Sequence, residues 1–395
     1  MTMTDPIMYQ LYIGAIAKLA AGDAKLIIFY TIILCLLMPW AWYKFFRELQ
    51  TSKPAALAGA AVIIWLPSWL CIYSYYMQET LMLPLLGVAL WMTWRCKRKQ
   101  TVESFVTMVA LWAIAGLTRG ACIPMAATAA IGLWLAQPEK WKKAAYSILL
   151  LGSILIPLSI RSYQQIGLVS PHGVGQLNMI YAMSGKKEVK INYKRHQGNQ
   201  VWYFGFMSPV LLIDPLEPLI DWHTQRKDKV VVDIDIDKGK EGWKKSLEEN
   251  KLTLEKYRWI TKENLIFLFF SASWPDSNDA DVLSALNYHL RWIWAPLGVY
   301  VLICSILSWR ALKKRLLLPA IILSWFIVQG LLPISVNEGR YRKPFEGLLI
   351  AQMVLLAGAL SNNRRKNEEN VSPALSNADE TTDAAETSGG AAGLS

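Results

Sequence analysis

Ten consecutive residues, Asn337-Glu338-Gly339-Arg340-Tyr341-Arg342-Lys343-Pro344-Phe345-Glu346, bring three cations, two carboxylates and a tyrosine between two apolar runs, Leu316–Val336 and Gly347–Leu360. A turn between apolar helices needs only a few small polar residues, so this density of charge points to chemistry. Guanidinium groups present a planar fork to an oxyanion and stay charged at a membrane edge. A phosphate is the ligand such a turn suits. Three further charged positions stand at the ends of apolar runs. They are Glu79 in Tyr73-Ser74-Tyr75-Tyr76-Met77-Gln78-Glu79, Arg119 in Leu117-Thr118-Arg119-Gly120, and Arg161 in Arg161-Ser162-Tyr163.

The elements that would carry these residues are membrane helices. The chain has 395 residues, 53% of them hydrophobic, and its apolar runs recur at the roughly 18–22 residues that cross a bilayer. Residues 6–21 are shorter and interrupted by Lys18, which suits an amphipathic segment lying in the interface. Spans are expected at Lys25–Tyr43, Ala55–Met77, Thr80–Trp94, Val102–Thr118, Ala121–Ala136, Ala144–Ile160 and Leu290–Trp309, followed by the two runs that flank the charged turn. The expected class is an all-α polytopic membrane protein of about nine spans with a mixed α/β external region. Its parts are an N-terminal membrane bundle over 1–163, an external region over 164–289, C-terminal spans over 290–361 and a disordered cytoplasmic tail over 362–395.

Basic clusters fix the orientation. Those following the first, third, fifth, seventh and ninth spans, among them Lys44 and Arg47, Arg95 to Lys99, and Arg310 to Arg315, fall on one side. The positive-inside rule makes that side cytoplasmic. The other side receives Glu79, Arg119, Arg161, the 161–289 segment and the turn at Arg340, Tyr341 and Arg342. Each of these charges, taken alone, reads as a helix-end side chain snorkelling to water. As a set they run against the scarcity of cations in short external loops, and charges that break that bias are functional candidates. Nine spans with a cytoplasmic C-terminus put residues 1–24 outside, which either a short tail that translocates unaided or a missing first helix would explain.

The order and placement of these segments resemble the membrane glycosyltransferases of GT-C type that use polyprenyl-phosphate sugars, the protein mannosyltransferases and lipid A aminoarabinose transferases. Asp5-Pro6-Ile7-Met8-Tyr9 through Gly22 resembles the close of that family's first external loop, and Tyr75 to Leu81 its second acidic position. Leu117-Thr118-Arg119-Gly120 and Ile160-Arg161-Ser162-Tyr163 resemble its basic positions, and Glu338 to Pro344 its late arginine-tyrosine-arginine turn. The resemblance implies a GT-C-like helical bundle and a donor phosphate held by Arg119, Arg161, Arg340, Tyr341 and Arg342, with Glu79 as acidic partner. It also implies a catalytic carboxylate in the first external loop. Asp5 aligns with the end of that loop, so the expectation is a chain without that helix and carboxylate: a truncated frame, an inactive relative or one half of an assembly.

Other chemistries are set aside. The formal charge of +11 has no accompanying basic helix or RNA-binding motif, so nucleic acid is not an expected partner. The five cysteines make no CxxC pair, and His172, His196, His223 and His289 share no ligand spacing, so no metal or cofactor is expected. Val230 to Asp237 contains overlapping DxD patterns, which suit a metal-diphosphate site or, the favoured reading, an alternating strand at an exposed edge. Leu265–Phe270 is too short to span and is expected to dip into the interface or pack on the bundle, covering an acceptor groove or supporting the loop. Serine-hydrolase and nucleotide-binding motifs do not occur.

The expected activity is transfer of a sugar from a polyprenyl-phosphate donor to an envelope glycan, lipid or protein on the external face of the cell inner membrane. The alternatives are an inactive or accessory protein of envelope glycan assembly, and a transporter or polymerase of lipid-linked glycans.

Overall fold

The structure, a computed structural model, describes residues 6–49, 51–70, 72, 77–166, 169–171, 189–193, 200–204, 232–235, 241, 244–245, 248, 253–270, 282–307, 316–332 and 339–359. The N-terminal part is a run of helices: α1 Ile7–Leu19, α2 Ala24–Glu48, α3 Lys53–Ile64, α4 Pro67–Leu70, α5 Gln78–Lys99, α6 Val102–Thr118, α7 Ile123–Ala136 and α8 Lys140–Ile166. After the strands described below come α9 Leu254–Phe270, α10 Val282–Leu307 and α11 Leu317–Phe326. A π-helical turn, Ile327–Leu331, continues α11, and a 3-10 turn, Gly339–Arg342, leads into α12 over 343–359.

Local chemistry starts these helices. The Asp23 side chain accepts from Lys25 N at 2.8 Å ahead of α2, and Ser52 accepts from Ala55 N ahead of α3. Thr101 Oγ1 accepts from Ser104 N at 3.2 Å ahead of α6. Each side-chain oxygen satisfies an amide that the first turn would otherwise leave without a partner. At the far end of α5, Gln100 takes a left-handed conformation (φ 57°), which turns the chain toward α6.

Among the described residues, Ala24–Glu48, Lys140–Gln164 and His289–Leu307 are long and apolar enough to cross a membrane. Five shorter apolar helices accompany them. The protein is thus a helical membrane protein. The run 55–77 does not form the single span expected of it: α3 stops at Ile64 and α4 restarts at Pro67. Proline has no N–H to give the preceding turn and disfavours helix at the residue before it, here Leu66. Apolar length alone concealed that break.

In the region after α8, β1 Val189–Tyr193 pairs antiparallel with β2 Gln200–Phe204 and parallel with β3 Val232–Asp235, in the order β2-β1-β3. Part of the DxD segment is therefore strand, with Asp233 in register with Lys190 and β3 at an edge of the described sheet. Asp5, His172, His196, His223, Asp237 and the tail from 362 lie outside the described residues.

The core is aromatic. On α2, Trp42 packs edge-on to Trp69 of α4 at 5.6 Å and to Phe45 at 5.8 Å. Two helices approach Trp42 through glycine. A Cβ at Gly87 of α5 would stand 2.8 Å from the Trp42 ring, and one at Gly347 of α12 would stand 2.7 Å from Trp69 and 3.0 Å from Trp42. Helix-helix contact this close requires the absence of a side chain. On the other side of α12, Phe345 stacks on Trp325 of α11 at 4.9 Å and meets Phe269 of α9 edge-on at 5.6 Å.

Polar ties mark the two ends of the α5–α6 pair. At the α5 C-terminal end, Arg98 pairs with Glu48 of α2 at 2.8 Å. Nearby, fully buried Lys143 of α8 donates to Gln100 O, Pro138 O and Gln137 Oε1 at 2.8–3.0 Å. The opposite end holds Glu79 and Arg119.

Candidate functional site

Glu79 is the second residue of α5, where a carboxylate suits the positive end of the helix dipole. Arg119 is the residue at which α6 ends. Its backbone is extended (φ −154°, ψ 125°) and its amide donates to Ala115 O at 2.9 Å, while Cys122 N donates to Arg119 O as the next turn forms. The extended backbone directs the Arg119 side chain off the helix axis toward α5. There Arg119 Nη1 donates to Glu79 Oε1. Glu79 is 1% exposed and Arg119 5%. Water competes weakly for a pair so enclosed, and each charge depends on the other.

The 3-10 turn Gly339–Arg342 joins this pair. Tyr341 lies beneath the Arg119 guanidinium, with Arg119 Cζ 4.4 Å from the ring centroid. Arginine over an aromatic face gains from the ring quadrupole, the more so when shielded from water. Three segments remote in sequence thus meet at one point: the start of α5, the end of α6 and the turn before α12.

Arg342 and Lys343 turn the other way. Arg342 is fully buried, with Nε on Glu346 Oε1 at 3.0 Å and Nη1 shared by Leu268 O at 2.9 Å and Phe269 O at 3.0 Å. Those carbonyls belong to the last turn of α9, which has no helical donors of its own, and a cation there also complements the helix dipole. Lys343 Nζ donates to Ser68 O at 2.5 Å, and the Ser68 hydroxyl donates to Glu346 Oε2. Lys343 and Glu346 are also fully buried. Arg342 therefore fastens the turn to α9, while Lys343 and Glu346 fasten it to α4.

Of the expected site residues, the structure brings together Glu79, Arg119 and Tyr341, with Arg342 behind them. Arg161 lies on α8, half-buried, and among the described residues it has no bond to the Glu79–Arg119 pair. The backbone of Arg340 is part of the turn, and its side chain lies outside the described residues. Sequence reasoning did not single out Ser68 or a structural role for Glu346. The Arg342–Glu346 spacing of four was the available signal, since on a helix such residues are neighbours. Ser68 carried none. No group of three or more His, Cys, Asp or Glu residues with metal-binding geometry occurs among the described residues.

The described side chains around this point place three cations, Arg119, Arg342 and Lys343, against two carboxylates, Glu79 and Glu346. Fold and site together define a helical membrane protein with a buried ion-pair cluster at one end of its helices.

Residues 4–163 match the family model described as dolichyl-phosphate-mannose-protein mannosyltransferase. That stretch is less than half of the chain, and over it the chain is similar to that family. Glu79, Arg119 and Arg161 lie within the match; the turn at Tyr341 lies beyond it. The chain matches no curated protein and no solved structure.

Proposed function

We propose that the protein is a multi-pass glycosyltransferase of a cell inner membrane that moves a sugar from a polyprenyl-phosphate donor to an envelope acceptor on the external face. The observation that carries this reading is Arg119, held between Glu79 and Tyr341. It brings the late turn against two of the three charged positions that lie within the family match. The donor's phosphate approaches from the outer leaflet and is met by Arg119, with Arg161 and Arg340 as further cations from the same face. As the acceptor oxygen forms its bond to the anomeric carbon, the bond from that carbon to the phosphate oxygen breaks. The leaving polyprenyl phosphate takes the electron pair. Fixed positive charge stabilises the growing negative charge without reorganising at the moment of reaction.

Glu79 orients the Arg119 fork in this scheme; the base that takes the acceptor proton is not assigned to a described residue. The test uses the purified protein in liposomes with a labelled polyprenyl-monophosphate sugar and an envelope extract as acceptor. Label is expected to pass from the lipid to the extract. A donor left intact under these conditions, with the protein folded, contradicts the reading.

A second reading, an accessory or transport protein of lipid-linked glycans, is favoured by one observation. The carboxylates of both Glu79 and Glu346 are buried and engaged by arginine. Deletion separates the two: loss of a transferase leaves the sugar-phosphate lipid to accumulate together with unmodified acceptor.

A further inference from the structure

We propose that Glu346 is a positioning residue for the Arg119–Tyr341 contact, acting from the buried side of the turn. The proposal rests on the donor-binding reading of that contact and extends it to a residue outside the family match. Glu346 divides its carboxylate between two elements, one oxygen accepting from Arg342 Nε and the other from the Ser68 hydroxyl. Arg342 in turn reaches the last carbonyls of α9, and Lys343 reaches the carbonyl of Ser68. The carboxylate thereby fixes the turn from below through α4 and from the side through α9.

Tyr341 is the residue immediately before Arg342 in the same 3-10 turn. Successive side chains in a 3-10 turn leave the axis about 120° apart. With Arg342 fixed inward, Tyr341 is held facing Arg119. A buried, hydrogen-bonded ion pair adds little net stability over an apolar replacement of the same shape. What it adds is a defined geometry. Two contacts record where α9 sits in consequence: Thr261 Oγ1 donates to Leu331 O at 3.2 Å, and Leu265 Cδ2 lies 3.1 Å from a Cβ built at Gly330.

Two measurements test this. In kinetics normalised to folded protein, Glu346→Ala raises the KM for the polyprenyl-phosphate sugar about ten-fold, the loss of one hydrogen bond to a charged group. Its kcat stays within about two-fold, and Glu346→Gln, which keeps both hydrogen bonds within reach, recovers most of the affinity. A merely structural role leaves KM unchanged and lowers activity only in step with folded protein; that result overturns the proposal.

The second measurement needs no donor. In full-length protein with Cys35, Cys71, Cys96, Cys122 and Cys304 replaced, Leu265→Cys and Gly330→Cys are joined by a short thiol-reactive linker. Cross-linking is expected with Glu346 present and is reduced several-fold in Glu346→Ala, by loss of the charged contact that holds Arg342 to α9. Full cross-linking in that variant overturns the proposal even if wild-type protein transfers no sugar, whereas absence of transfer alone counts against the glycosyltransferase reading. Should Glu346→Ala fail to fold, Ser68→Ala is measured in the kinetics with the same expected rise in KM, since it removes the α4 tie to Glu346 and leaves Arg342 on α9; an unchanged KM overturns the proposal.

Discussion

Glu79 and Arg119 form a hydrogen-bonded ion pair where both side chains are almost wholly out of solvent. Losing one half strands the other in a medium that cannot hydrate it. Glu79→Ala is expected to lower stability by about 3–5 kcal/mol. The combined Glu79→Ala, Arg119→Met variant should lose less than the sum of its parts, because its second change removes the stranded charge. Thermal unfolding in detergent of the two single variants and the double variant reads this out; strictly additive losses would contradict a coupled pair. The sequence made Glu79 and Arg119 legible as charges at the wrong face of a membrane. It could not tell which of Arg340, Arg342 and Lys343 turns inward, because that depends on where α9 and α4 present their carbonyls.

At the scale of the elements, glycine decides how closely α5 and α12 approach the Trp42–Trp69 pair. Gly347→Ala would force a methyl to 2.7 Å from Trp69 and 3.0 Å from Trp42, and the facing rings leave it little room. Overpacking of this kind costs about 1–3 kcal/mol. A fall in melting temperature for Gly347→Ala and Gly87→Ala, with Gly14→Ala near wild type because nothing lies within 4 Å of its added Cβ, is the expected outcome.

Some boundaries were readable in advance. The run Val102–Thr118 is helix over those same residues, with Thr101 as its cap. By contrast, α12 begins at 343 rather than at Gly347. Pro344 is tolerated near a helix start, where its missing N–H has no intrahelical acceptor to lose. The charged turn therefore contributes its last residues to the helix, and this brings Glu346 within one turn of Arg342.

The whole molecule is organised by two ends of opposite character. One gathers the basic residues Lys97, Arg98 and Lys99, tied through Arg98 to Glu48. The other gathers the cluster around Arg119. If the basic end faces the cytoplasm, Lys99→Cys reacts with a membrane-impermeant maleimide only after the bilayer is opened, and Lys262→Cys on α9 reacts from outside in sealed cells. The reverse pattern contradicts the proposed orientation. Hydropathy made the membrane class legible, since long apolar runs leave few soluble folds possible. The strands between α8 and α9 were legible only as alternation in the DxD segment, because the pairing partner β1 lies about forty residues earlier in the chain.

The most direct test of the account is sugar transfer from a polyprenyl-phosphate donor by folded Arg119→Lys protein in liposomes. Lysine keeps the charge opposite Glu79 but loses the planar fork that stacks on Tyr341 and that the proposed reading offers to the donor phosphate. The account predicts transfer reduced about ten-fold or more, with folding intact. Transfer at the wild-type rate would contradict it.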